Sequence, residues 1–172
     1  MKIPAEPRPE QLTVIIDSRE QLPFDLAPLK METATLVTGD YSIKGLEHVI
    51  SYERKSLSDQ VVCCGPERKR FEAELQRMLA YPVRAVIVES DWGEIELGGW
   101  RSNITPKSVI GSILGWQAWG IPFVLAGRRE RAQDFCRRML FIAARREWRK
   151  LRALAGGVLE EAETCGTEKT PA

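Results

Sequence analysis

In the stretch "ISYERKSLSD" (50–59), a strand-like apolar run ends in Glu53, Arg54 and Lys55, with Asp59 four residues further on. Side chains alternate across a strand, so Glu53 and Lys55 share one face and Arg54 lies on the other with Ile50 and Tyr52. Asp40 follows Gly39 and opens the strand expected to pair with this one, and Asp17 ends an earlier apolar run, "TVII" (13–16). Strand ends of open α/β sheets are where functional side chains collect. Several carboxylates beside one lysine suit phosphodiester hydrolysis. Mg²⁺ prefers carboxylate and water oxygens, lowers the pKa of a bound water and offsets charge on the phosphate. A lysine beside it holds the attacking water or the developing oxyanion. Each residue also has an ordinary role: a solvated strand end for Glu53 and Lys55, a turn for Asp40 after glycine, a helix cap for Asp59. The pattern alone leaves both open.

The elements that must hold these groups follow from the apolar periodicity. Residues 13–16 and "RAVIVES" (84–90) are continuous apolar runs, as strands covered on both faces are, and "IPFVLA" (121–126) is a third. "DYSI" and "HVISYERK" read as a hairpin with Gly45 in its connection, and Ala34 to Val37 as a short strand. "SLSDQVVCC" is expected as a short helix. "PERKRFEAELQRMLA" is expected as a helix that starts at Pro66 and buries Phe71, Leu75, Met78 and Leu79. "DWGEIELGGWRSN" reads as a loop, and the next helix opens with Thr105 as N-cap and Pro106 behind it. The last helix, about 129–154, buries Ala132, Phe135, Cys136, Met139, Leu140 and Ala143. The whole is a three-layer α/β/α domain with a central mixed sheet. Residues 1–11 form an extended lead-in, 12–154 the folded domain, and 155–172 a flexible acidic tail.

At 172 residues the chain builds one domain with a substantial core. A net charge of +1 hides an uneven distribution: residues 128–150 carry nine Arg and Lys against Glu130, Asp134 and Glu147. Arg137, Arg138 and Arg145 lie off the buried stripe, either tracking phosphates or lying over apolar surface as a solvated face. Four cysteines without paired spacing and the single His48 argue against a zinc site, and no run is apolar enough to cross a bilayer. His48 is expected exposed on a strand, and Cys63–Cys64 as small packing residues. Trp92 and Trp100 either pack their loop or stack on an unpaired base.

The segments "VIIDSRE", "TGDYSI", "YERKSLSD" and "KRFEAEL" resemble, in order and spacing, the XPF/Hef family of structure-specific DNA endonucleases, whose nuclease domain carries a GD…ERKxxxD motif. Here that motif is Gly39-Asp40, Glu53-Arg54-Lys55 and Asp59, and "VIGSILGWQAWGIPFVLAG" (109–127) looks like the helix and strand before the family's closing helix. The resemblance runs over about residues 12 to 142. It implies a restriction-endonuclease-like fold that cuts DNA with Mg²⁺ or Mn²⁺. Asp40 and Glu53 would be the principal metal ligands, Asp17 an acidic neighbour supporting the metal, and Lys55 the catalytic lysine. Arg54 would brace the site or touch the scissile phosphate, Glu20 and Asp59 would be auxiliary, and Arg19 and Arg70 would meet the DNA backbone.

Family members usually continue into a tandem helix-hairpin-helix domain that grips duplex DNA and pairs subunits. The chain ends after its nuclease-like part, which shifts the expectation to a small phage or bacterial nuclease of the cytoplasm. Branched or otherwise structured DNA is the expected substrate. The alternatives are a catalytically inactive DNA-binding or scaffold module of the same fold, or a nuclease of ordinary duplex or single-stranded DNA. Trp116 and Trp119 read either as core or as a subunit contact; the family dimerises through a nearby surface, so a homodimer is expected.

Overall fold

A computed structural model describes residues 4–165, apart from the side chains of 159–165. The expected tail is therefore described only in part: its first residues, to Cys165, continue the last helix, and residues 166–172 lie outside the described residues. Six strands form one sheet: β1 (Thr13–Asp17), β2 (Lys30–Ala34), β3 (Tyr41–Ile43), β4 (Ile50–Ser56), β5 (Val83–Glu89) and β6 (Phe123–Leu125). Their order is β2-β1-β3-β4-β5-β6. Strand β3 runs antiparallel to both β1 and β4, whereas β1–β2, β4–β5 and β5–β6 are parallel, so the sheet is mixed, as expected. The helices are α1 (Leu57–Cys63), α2 (Arg68–Met78), α3 (Trp92–Leu97), α4 (Pro106–Ala118) and α5 (Arg129–Cys165).

Alternation along the strands divides the core into two layers. On one face Val14, Ile16, Tyr41, Ile43, Ile50, Tyr52, Ala85 and Ile87 pack against Ala132, Cys136, Leu140 and Ala143 of α5. Phe24, Leu26 and Leu29 of the β1–β2 connection complete that layer. On the other face Val86 and Val88 meet Val61 of α1, Phe71 and Leu75 of α2, Ile95 of α3 and Trp116 of α4. Phe71 and Trp116 stand edge to face at 5.1 Å. Leu75 has no exposed surface, and truncating such a residue to alanine typically costs about 2–5 kcal/mol.

Four elements differ from the sequence-based expectation. The second strand is Lys30–Ala34, earlier than the expected Ala34 to Val37. It is an exposed edge strand whose register is set by parallel pairing with β1, not by apolar content. The chain leaves the sheet after it because the Leu36 N–H donates to the Asp17 carboxylate at 2.7 Å. Helix α2 begins at Arg68, with Pro66 in the turn after α1. Helix α3 occupies the expected loop: Asp91 caps it, accepting from the Glu94 N–H at 2.9 Å, and Ile95 is buried. His48 is exposed, but in the turn that precedes β4.

Candidate active site

Strands β1, β3 and β4 bring their charged residues to one edge of the sheet. The Asp17 N–H donates to the Asp40 carbonyl at 2.8 Å, and the Asp40 N–H to the Tyr52 carbonyl at 2.7 Å. Gly39 makes this possible. Its φ of +79° is open to glycine, and a Cβ there would stand 2.5 Å from Ser51 Oγ and 3.0 Å from the Tyr52 carbonyl oxygen. The glycine of the Gly-Asp pair thus lets the chain pass against β4 and delivers Asp40 beside Glu53.

Alternation on β4 holds as expected. Glu53 and Lys55 face the α1–α2 layer, with the Lys55 ammonium donating to Glu53 Oε1 and lying 5.2 Å from the centre of the Phe71 ring. Arg54 faces the α5 layer, where its guanidinium lies 5.7 Å from the Phe24 ring centre. The Arg54 N–H donates to Asp40 Oδ2 at 2.7 Å. Glu53 is almost fully buried, yet its Oε2 has no hydrogen-bond partner among the described residues.

Burial pushes the Asp40 carboxyl up to about 6, against the Arg54 N–H and the Lys55 charge, while Glu20 and Glu74 raise it further. Burial and then the Asp40 charge hold Glu53 well above the usual carboxylate range, and Lys55 offsets only part of this. Burial alone would lower Lys55, but the charges of Glu53 and Asp40 outweigh it and raise the ammonium's pKa. The arrangement is two carboxylates short of positive charge, with one lysine between them and an unpartnered oxygen.

Asp40 and Lys55 border an open cleft of about 390 Å³, lined also by Arg19, Glu20, Gln21, Leu22, Arg54 and Asp59, with Glu53 buried behind them. Asp59 is also the third residue of α1: Ser56 Oγ donates to its carboxylate at 2.6 Å and accepts its N–H at 3.1 Å. Asp17 is placed differently. Its Oδ1 accepts the N–H and Nε of Arg19 at 2.9 and 2.6 Å, and its Oδ2 accepts from Leu36 and from Arg19 Nη2. Burial alone would raise this carboxyl, but those bonds hold it below the ordinary range. Asp17 fastens the loop that carries Arg19 and Glu20.

The other arginines expected to meet DNA stand apart. Arg70 pairs with Glu67, Arg137 and Arg138 with Asp134, and Arg145 with Glu6. Arg145 is sixteen residues along α5 from Arg129, roughly 24 Å of helix. Trp100 donates its indole N–H to the Ile104 carbonyl at 2.6 Å and packs its loop, Trp92 is partly exposed on α3, and Trp116 is core. Among the described residues, no group of three or more His, Cys, Asp or Glu side chains converges as a metal site. Nor is any helix long and apolar enough to cross a membrane.

Sequence reasoning missed Glu89, Arg129 and Glu74. Glu89 ends β5 at the same sheet edge, where it accepts from Arg54 Nε at 2.5 Å and Arg129 Nη1 at 2.8 Å. Its position at the end of a buried parallel strand was the available signal. Glu74 lies one turn beyond Phe71 on α2, beside the buried stripe, and its charge acts on Asp40, Glu53 and Lys55.

Comparison with known proteins bears on the fold. No family model matches the chain, and no curated protein matches it by sequence. Among solved structures, XPF from Aeropyrum pernix matches with a TM-score of 0.61 and 19% identity, over 87% of this chain and 73% of that one. XPF from Aeropyrum pernix in complex with DNA matches with a TM-score of 0.56 and 19% identity, over 81% of this chain and 66% of that one. The chain therefore shares the fold of XPF from Aeropyrum pernix, the architecture that the resemblance implied.

Proposed function

We propose that the chain is a metal-dependent endonuclease that hydrolyses DNA phosphodiester bonds in the cleft beside Asp40, Glu53 and Lys55. One observation carries the proposal: the buried Glu53 and the partly buried Asp40 lie beside a lysine at a cleft that Asp40 and Lys55 line, and Glu53 Oε2 has no hydrogen-bond partner among the described residues. A buried carboxylate oxygen with no donor carries a substantial desolvation cost, and a hard divalent cation satisfies it. The donor set fits Mg²⁺ or Mn²⁺, all oxygen and no thiolate or imidazole, with Asp40 and Glu53 as the residues that would hold the ion. When bound, the ion supplies an activated water and charge stabilisation on the phosphate.

The chain's own residues do the rest. Lys55, kept protonated by the two carboxylates, presents an ammonium to the developing negative charge on the phosphate. Arg19, with about two thirds of its side chain exposed on the cleft rim, meets a backbone phosphate. Arg54 stiffens the edge from the other face of β4. Asp17 acts through Arg19 and Leu36, in the loop that the cleft wall is made of.

Support for DNA as the substrate is the fold shared with XPF and the Lys55 and Arg19 cations beside the carboxylates. Branched or structured DNA is the proposed preference. The homodimer implied by the resemblance belongs to the same proposal, and Leu114 on α4 and Trp119 at its C-cap are exposed apolar groups that pairing would cover. A second reading, a DNA-binding module that does not cut, is favoured by the Lys55–Glu53 ion pair, which occupies one carboxylate oxygen. A panel of flap, fork, four-way-junction, duplex and single-stranded DNAs incubated with Mg²⁺ or Mn²⁺ separates the two. Binding to any of them with no cleavage of all five contradicts the nuclease.

A further inference from the structure

On the opposite face of β4 from Lys55, four charged side chains form a chain across the strand ends. Arg129, the first residue of α5, donates from Nη1 to Glu89 Oε1 at 2.8 Å, and Arg54 Nε donates to the same oxygen at 2.5 Å. Arg54 Nη1 reaches Glu20 Oε1 at 3.3 Å. Both guanidiniums lie over the Phe24 ring, at 5.0 Å for Arg129 and 5.7 Å for Arg54. Two like charges this close are held only because Glu89 and Glu20 neutralise them, and cation–π attraction to one ring adds a further contribution. From its other nitrogen, Arg129 Nη2 donates to the carbonyls of Leu22 and Pro23 at 2.7 and 3.0 Å.

We propose that Arg129 is a positioning residue that pins the wall of the cleft formed by residues 19–22 and, through Glu89, orients the Arg54 guanidinium. The inference rests on the cleft being the working site. Side-chain bonds hold the wall at three points: Arg19 to Asp17 and the Leu36 carbonyl, Arg54 to Glu20, and Arg129 to Leu22 and Pro23. The third comes from α5, an element separated from the loop by more than a hundred residues. Loss of Arg129 leaves no buried charge of the network alone. Glu89 keeps Arg54 as partner, whereas removing Glu89 would leave Arg129 without a carboxylate and Arg54 with Glu20 as its remaining one, a destabilising outcome. About a third of the Arg129 side chain is exposed, so water reaches the freed carbonyls.

The test uses the full chain with Arg129→Ala and Arg129→Lys, read by amide hydrogen exchange and by cleavage of the best substrate in the panel. In Arg129→Ala the amides of Glu20, Gln21, Leu22 and Phe24 should exchange about tenfold faster or more while the core strands stay protected. The turnover number should fall about 10–100-fold, the range typical of groups that orient a catalytic residue, with DNA affinity changed less. Lysine keeps the charge but not the fork of donors, so Arg129→Lys should recover only part of both effects. Unchanged exchange at 20–24 overturns the proposal. So does a loosened loop with undiminished turnover, or a loss of protection spread evenly over the sheet. A wild-type chain that cuts no DNA sinks the nuclease itself, and is told apart because hydrogen exchange still reports whether Arg129 holds the wall.

Discussion

Lys55 donates its ammonium to Oε1 of Glu53 across one strand face, while Oε2 of the same carboxylate stays unpartnered among the described residues. The pair is almost fully buried, so its charges act at close range with little screening. Asp40 stands beside it just before the neighbouring strand β3, and burial raises both carboxyl pKa values. One open carboxylate oxygen in a site short of positive charge is what the proposed Mg²⁺ or Mn²⁺ would satisfy.

The geometry that brings Asp40 to the pair depends on Gly39. Gly39→Ala should destabilise the fold by about 1–3 kcal/mol, the typical cost of holding a residue with a side chain in a disfavoured backbone region, because its Cβ would also crowd Ser51 Oγ and the Tyr52 carbonyl. Thermal unfolding measures the loss. On a Ser51→Gly background Gly39→Ala should cost less than in the wild type, since the crowding hydroxyl is gone but the positive φ remains. A Gly39→Ala cost of zero on that background would show that the backbone conformation costs nothing.

Stability without metal should depend on pH through Asp40. Its folded pKa, raised to about 6, lies above the ordinary value, so the folded state binds the extra proton between the two. The contribution is fully present below the unfolded pKa and is lost as pH rises through 6. In EDTA, the wild type should therefore lose thermal stability between pH 5 and pH 7.5 relative to Asp40→Asn, which carries no charge to neutralise. Parallel pH profiles for the two proteins would contradict the assigned shift.

Much of this site was legible before any coordinates. Period-two alternation put Glu53 with Lys55 and Arg54 apart from them, and the sheet does the same. Strand ends located Asp17 and Asp40, because backbone pairing aligns residues at the ends of adjacent strands. What Asp17 does with its oxygens was not legible, since its partners Arg19 and Leu36 depend on a loop path that no periodicity encodes. The network of Glu89 and Arg129 was hidden for the same reason, as it joins residues 40 apart through the packing of α5. Helix α3 was missed although Asp91 and Glu94 stand at capping spacing, because Gly93 within it and Gly98-Gly99 after it dominate that stretch. The edge strand β2 was misplaced because its side chains are exposed and carry no apolar pattern.

DNA binding should sort the arginines of α5 by position. Arg138 is largely exposed and its pair with Asp134 is a surface pair, which contributes little and is readily exchanged for a phosphate. Replacing Arg137 and Arg138 by alanine should lower the slope of log affinity against log salt by about 1–2. Arg145→Ala should leave the slope unchanged, since its partner is Glu6 and it lies far along the helix from the cleft edge. Fluorescence anisotropy over a salt series distinguishes these, and an equal fall for Arg145 would mean that the DNA lies along the whole helix.

The central claim is that Glu53 and Lys55 are catalytic and not merely a structural ion pair. The decisive measurement is single-turnover cleavage of the DNA panel in Mg²⁺ or Mn²⁺ by the wild type, Glu53→Gln and Lys55→Ala, each checked for fold by circular dichroism and for DNA affinity. The wild type should cut at least one DNA, and each variant should lose about 10²–10⁴-fold in rate, the range over which single catalytic groups act, while fold and affinity persist. Variants that cut as well as the wild type, or that lose their fold along with their cleavage, would contradict it.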